Sequence, residues 1–397
     1  MATHSDCLRD AKRIVVKLGT STIAHPNGEL DMHRLEKLVG QMAEAARDGR
    51  EVIVVTSGAI GVGMSRLGLL ERPKTIPEKQ AVAAVGQGLL MESYERLFRE
   101  YAQVVAQVLL TREDVTERVR HLNARHTLTQ LLSFGVIPIV NENDTVAVDE
   151  IKFGENDTLS SLVAALVGAD LLILLSDVDG LHSADPHRVP DARRIPVIAE
   201  ITPEIQELGG GPGSPLGSGG MATKIQAARI ATLSGVAMVV ANGAHEDVIR
   251  RILDGGDVGT LFLPSSQSLG SRKRWIAFYQ QAQGDLIIDA GAAKALIEDG
   301  KSLLPIGIVG IRGFFEEGDL VRMVDSEGRE VARGLTNYAS GDVERVKGLP
   351  TSRIATILGE KYYDEVVHRD NLVISGGKRI PPGSNGDQWS LCSGGAC

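Results

Sequence analysis

Across residues 13–264 the chain alternates short β-branched runs with longer stretches of helical period, and no other feature restricts its fold as strongly. Strands buried on both faces read as continuous apolar runs, and parallel neighbours need a crossover element between them. Seven such runs fall at 14–17, 52–56, 104–109, 136–140, 171–175, 236–240 and 261–263. They predict an α/β unit whose mainly parallel sheet is covered by helices on both faces. At 397 residues the chain exceeds what one core usually organises, so a second domain is expected.

Open α/β sheets bind ligands beyond the carboxyl ends of their strands, and polar clusters stand there in this sequence. Lys17-Leu18-Gly19-Thr20-Ser21 follows the first run, Thr56-Ser57-Gly58-Ala59 the second, Asn141-Glu142-Asn143-Asp144 the fourth and Ser176-Asp177-Val178-Asp179-Gly180 the fifth. One shared site is implied. Lys17 with its Gly-Thr-Ser sequel suits close approach of amides and hydroxyls to a phosphate, although a strand-end lysine can also simply face water. The glycine-rich stretch 209–220 reads as a mobile loop feeding a helix that begins near Met221, a geometry that stabilises anions. Lys224 falls in that helix's first turn, where the dipole disfavours its charge and an anion would relieve the conflict; the alternative is a solvated surface lysine. Two converging cations suit a transferring phosphoryl group.

Residues 141–144 and 154–157 together place four carboxylates and three carboxamides within seventeen positions. Carboxamides donate as well as accept, so the mixture can read both the ammonium and the carboxylate of an amino acid. Asn156 or Asp157 could equally serve as the N-cap of a following helix, and the two roles are compatible. Ser176-Asp177 could be no more than a strand-ending turn.

The 51 acids against 42 bases give a net charge of −9, which favours small-molecule partners over nucleic acid. Cys7, Cys392 and Cys397 are too few and too terminal for a disulfide framework, so a reducing cytoplasm is expected. The first residues carry no apolar signal core, and no stretch approaches the ~18 apolar residues of a membrane span. Asp299-Gly300-Lys301-Ser302 mimics the end of a P-loop, but Ala295 stands where its first glycine belongs. Residues 217–222 formally fit a dinucleotide fingerprint without a preceding strand, and His245-Glu246 lacks a second zinc-binding histidine. No structural metal is expected. Beyond residue 264 the pattern changes to a linker at 265–271, a smaller β-rich domain over 272–370 and a tail over 371–397, expected to be partly flexible.

In order, Val16 to Ser21, Val55 to Ala59, Asn141 to Asp144, Phe153 to Asp157 and Gly217 to Lys224 resemble the blocks of the glutamate 5-kinase family. The first domain is similar to the three-layer αβα amino-acid kinase fold, and Arg272 to Ile276 with Gly307 to Ile311 resemble the PUA domain that bacterial members append. The resemblance implies ATP-dependent phosphorylation of the L-glutamate side-chain carboxylate at the entry to proline synthesis, with Mg²⁺ arriving on ATP. It further implies that Lys17, Lys224 and Asp157 are catalytic and that Ser57, Asp144 and Asn156 grip glutamate. Lys17, Ser176, Asp177, Ser218, Gly219, Gly220, Met221, Ala222, Thr223 and Lys224 would then form the ATP site. Ser176 and Ser218 replace the family's usual threonines and keep the hydroxyl. Feedback inhibition by proline and a homodimer or homotetramer are family expectations.

Rival readings are a kinase for acetylglutamate, aspartate, carbamate or a nucleoside monophosphate, an RNA-binding factor, and a non-catalytic amino-acid sensor. The PUA-like end disfavours the rival kinases. From 272 to 370 there are 16 acids and 14 bases without a basic run, which disfavours RNA. Retention of both lysines and Asp157 disfavours the sensor.

Overall fold

The structure, a computed structural model, describes residues 5–146, 156–184, 189, 191–209, 220–265, 282–359 and 363–379. The chain divides into two compact units at Leu269/Gly270. The first is built on β1 (Arg13–Leu18), β2 (Glu51–Val55), β3 (Val105–Leu110), β4 (Ile137–Glu142), β5 (Leu171–Ser176), β6 (Val197–Ile198), β7 (Ala237–Asn242) and β8 (Thr260–Phe262). They form one sheet in the order β3-β4-β2-β1-β5-β7-β8-β6. All neighbours run parallel except β7 and β8, which are antiparallel. The two-residue β6 is an eighth strand beyond the seven expected; so short a run carries no periodic signal.

Five helices matter to the site: α1 (Met32–Arg47), α2 (Ala59–Leu67), α3 (Ile76–Arg99), α4 (Asn156–Val167) and α5 (Met221–Leu233). Asp31 caps α1 by accepting from the Arg34 amide at 3.0 Å, and Thr75 with Glu78 forms a reciprocal capping box that starts α3. Side-chain alternation in β1 decides which layer each residue meets. Ile14, Val16 and Leu18 join a core with Leu35, Leu38 and Met42 of α1. Val15 and Lys17 point to the other face, which α4 and α5 cover by packing on each other and on β1, β5 and β7. Helices therefore cover both faces of the sheet. The parity of one strand puts a lysine where two helices begin.

Helix α3 lies backbone to backbone on α2. A Cβ at Gly86 would stand 1.8 Å from the Ala59 carbonyl oxygen, and one at Gly63 would stand 2.0 Å from that of Val82. Only glycine permits this approach.

The second unit carries β9 (Gly284–Ile288), β10 (Ile308–Gly313), β11 (Leu320–Val324), β12 (Arg329–Thr336) and β13 (Val367–Arg379) in the order β10-β9-β11-β12-β13. Leu286, Ile288, Met323, Val343 and Val367 are among its core residues, and the buried Asp285 accepts from Arg322 Nε at 2.6 Å. Strand β13 runs through Asp370, where the sequence placed the end of this domain. The stretch Asn371-Leu372-Val373-Ile374 continues the pairing with β12, which overrides the glycines and prolines that make the following sequence look like tail. Residues 266–281, holding most of the expected linker and the block Arg272 to Ile276, lie outside the described residues, as do residues 380–397. Among the described residues no helix is long and apolar enough to cross a membrane.

Candidate active site

The carboxyl ends of β4, β2, β1 and β5 are adjacent, because these four parallel strands are consecutive in the sheet. Lys17 is the penultimate residue of β1, in register with Val55 of β2 and Leu174 of β5, and is only 6 % exposed. Its amine bonds Oδ1 of Asp157 in the first turn of α4. Lys224, in the first turn of α5 and 5 % exposed, donates from Nζ to Asp157 Oδ2 at 3.2 Å. Thr223 Oγ1 donates to the same oxygen at 3.1 Å. Neither lysine is the solvated side chain of the bland alternative. Two ammonium groups thus converge on one carboxylate in a dry place, an arrangement that fits an anionic ligand.

Burial by itself would raise the Asp157 carboxyl. The charges of Lys17 and Lys224 and their hydrogen bonds outweigh it and hold the carboxyl below the ordinary aspartate range. Asp157 is thus a fixed anion that orients two cations.

Beside this cluster runs a relay of amides. Asn156 Nδ2 donates to the Thr56 carbonyl at the end of β2 and to Asn141 Oδ1 at 2.8 Å. Asn141 Nδ2 donates to Gln87 Oε1 at 2.8 Å. The Thr56 hydroxyl pairs with the buried Tyr94 phenol at 2.8 Å, tying α3 to β2 a second time. The amide of Asn156 and the carboxylate of Asp157 are thus engaged across the fold rather than in the helix cap that the sequence also allowed.

Ser57 and Asp144 are half-buried just beyond β2 and β4, whereas Asn141 and Glu142, expected after β4, are its last two residues and are buried. Ser176, buried at the end of β5, donates to Asp177 Oδ1 at 2.9 Å. Gly220 is the N-cap of α5 and offers the first amides no side-chain acceptor, followed by half-buried Met221, exposed Ala222 and half-buried Thr223. Ser218 and Gly219 lie outside the described residues. The family resemblance gives Thr223 to ATP alone; the structure adds its bond to Asp157 and the parts played by Asn141, Gln87, Thr56 and Tyr94. Asn141 sat in a cluster already noticed. Gln87 and Tyr94, in the middle of a long helix, gave no signal at all.

The amino acid kinase family matches residues 12–242, and the PUA domain family matches residues 284–358. The chain is 57 % identical to the glutamate 5-kinase of Caldanaerobacter subterraneus subsp. tengcongensis, over 91 % of this chain and 97 % of that one. It is 53 % identical to the glutamate 5-kinase of Moorella thermoacetica, over 94 % of this chain and 100 % of that one. The chain belongs to the glutamate 5-kinase family. This family member is therefore a kinase, with an amino acid kinase domain on a mostly parallel sheet and a separate strand-rich PUA domain. The lysine pair and Asp157 stand inside the kinase match.

Proposed function

We infer that the chain transfers the terminal phosphoryl group of MgATP to the side-chain carboxylate of L-glutamate, giving ADP and glutamyl 5-phosphate at the entry to proline synthesis. The observation that carries this reading is the Lys17–Asp157–Lys224 cluster, buried where four strands end and flanked by the Asn156 amide. The names of the relatives supply the substrate.

The chemistry follows from charge. A glutamate side chain, with a reference pKa of about 4.3, is already ionised near neutrality, so no general base is needed to make the nucleophile. The obstacle is bringing an anion onto a polyanion. Lys17 and Lys224 offset it from opposite elements, and Asp157 keeps both from swinging away before the charge arrives. Mg²⁺ carried on the nucleotide would supply further screening of its phosphates. Ser176, Asp177 and residues 220–224 would line the nucleotide's side, where the first amides of α5 face a ligand without competition from a capping side chain, and the family resemblance adds Ser218 and Gly219.

Ser57, Asp144 and Asn156 take glutamate. Both hydrogens of Asn156 Nδ2 are already committed, so this residue turns an acceptor toward the ligand, and with the Asp144 carboxylate it suits an ammonium group. Proline shares that ammonium and the neighbouring carboxylate, which supports feedback inhibition at the same place. A homodimer or homotetramer rests on the family resemblance, and a cytoplasmic location on the sparse, terminal cysteines. ADP release measured with L-glutamate, N-acetylglutamate, aspartate and UMP, with hydroxylamine present to trap an acyl phosphate, tests the reading. Glutamate-dependent release with hydroxamate formation is expected, and its absence from folded protein overturns the assignment.

A further inference from the structure

The amide relay ends on a donor with no acceptor among the described residues. Its directions are fixed without assuming any side-chain flip. The Thr56 carbonyl can only accept, so Asn156 must turn Nδ2 toward it and toward Asn141. The Glu142 amide donates to Asn141 Oδ1 at 2.9 Å, which independently fixes Asn141 with its Nδ2 toward α3. Gln87 must then present Oε1 to Asn141. What remains is Gln87 Nε2, shut away from solvent and without an acceptor among the described residues. Buried polar groups are paired with few exceptions, and an exception beside a binding site points to a missing ligand atom.

Gln87 has little freedom to find another partner. Gly86 holds this turn of α3 against the Ala59 backbone, and Tyr94, two turns later on the same face, is bonded to Thr56. An amide N–H donates, so the missing atom is an acceptor and not an ammonium. The reacting carboxylate must lie by Lys17 and Lys224. Asn156 adjoins Asp157 in sequence, and Asn141 and then Gln87 follow it along the relay, each one hydrogen bond further from the lysine cluster.

We propose that Gln87 is a specificity-determining residue whose Nε2 donates to the α-carboxylate of the amino-acid substrate while its Oε1 holds Asn141 in place. This inference rests on the glutamate reading above. It assigns the two charged groups on the substrate's α-carbon to opposite chemistries, acceptors for the ammonium and the Gln87 donor for the carboxylate. A ligand with an α-amide in place of the α-carboxylate would lose the charge that strengthens this bond.

The test compares L-glutamate with its α-amide, isoglutamine, which keeps the reacting side-chain carboxylate. Gln87→Glu preserves the acceptor toward Asn141 and turns the donor into an anion. It is expected to raise the glutamate KM about tenfold or more, to leave the KM for ATP unchanged, and to shift the kcat/KM ratio of glutamate to isoglutamine toward isoglutamine by at least a similar factor. Gln87→Met, uncharged and of similar length, is expected to weaken the same preference by a smaller factor, and it serves if Gln87→Glu does not fold. Equal loss of both substrates in the folded variants would make Gln87 only a prop for Asn141 and overturn the proposal. Absence of glutamate-dependent ADP release from the unmodified protein would instead overturn the underlying assignment, and this inference with it.

Discussion

Lys17 leaves the end of β1 to bond Asp157 in the first turn of α4, and the two side chains are 8 % and 1 % exposed. Two buried ions are costly unless each is well partnered, and here Lys224 and Thr223 complete the carboxylate's shell. Two ammonium groups converge on one carboxylate, an arrangement that suits the phosphoryl transfer proposed above. Replacing Lys17 or Lys224 by alanine is therefore expected to lower kcat by about 10²–10³, the usual effect of deleting one transition-state donor. Far-UV circular dichroism should remain unchanged in both variants. Turnover near that of the unmodified protein in either would remove that lysine from the mechanism.

Asp157→Asn should act on stability as well as on rate. It leaves two buried lysines without their counter-charge, a loss of about 3–5 kcal/mol. The pH dependence has a definite sign. The folded carboxyl is held below its ordinary value, so its contribution is complete above the unfolded value of about 3.9 and disappears as pH falls through the lower folded value. Urea unfolding of both proteins should show a constant gap from pH 7 to about 5 that narrows below about 4. A gap that widens in acid would contradict the ion-pair account.

The sheet was legible because its strands are buried on both faces and read as unbroken apolar runs such as Leu171 to Leu175. Lys17, Asp157 and Lys224 were legible as polar residues at the ends of such runs or at helix starts. That they share one carboxylate was not, since the contact depends on β1 parity turning Lys17 toward α4. Gln87 and Tyr94 were hidden for a different reason. They lie on a long amphipathic helix where a polar residue ordinarily faces water, and only the close approach at Gly86 turns that face inward. Asn371 to Ile374 read as tail in the sequence because a strand extended by pairing with β12 needs no strong local preference of its own.

That close approach makes Gly86→Ala informative. A methyl group 1.8 Å from the Ala59 carbonyl oxygen cannot be absorbed by a flexible side chain, so α3 must move off α2. A loss of about 1–3 kcal/mol or more is expected, seen as a lower urea midpoint. Because Gln87 and Tyr94 move with α3, the glutamate KM should rise while the KM for ATP stays near its original value. Equal changes in both would show that α3 does not serve the amino-acid side specifically.

The Thr56–Tyr94 hydroxyl pair can be isolated by a double-mutant cycle. Burial pushes the Tyr94 phenol above its ordinary value, so it stays protonated and able to donate well into alkaline conditions. Thr56→Val or Tyr94→Phe alone leaves one buried oxygen without its partner, at a cost of about 1–3 kcal/mol, whereas removing both hydroxyls should cost less than the two losses added together. Strict additivity in urea unfolding would mean that the bond contributes nothing of its own.

The proposed proline inhibition offers a test of the proposed amino-acid site that does not depend on turnover chemistry. Proline carries an ammonium and a carboxylate but no side-chain carboxylate, so it can meet Asp144 and Asn156 without reaching Lys17 or Lys224. It is expected to raise the apparent glutamate KM with little effect on kcat at saturating glutamate. Asp144→Asn, which removes the anion proposed to face the ammonium, should weaken proline and glutamate together by about tenfold each. Proline that lowers kcat without changing the glutamate KM, or that is indifferent to Asp144→Asn, would place it elsewhere on the protein.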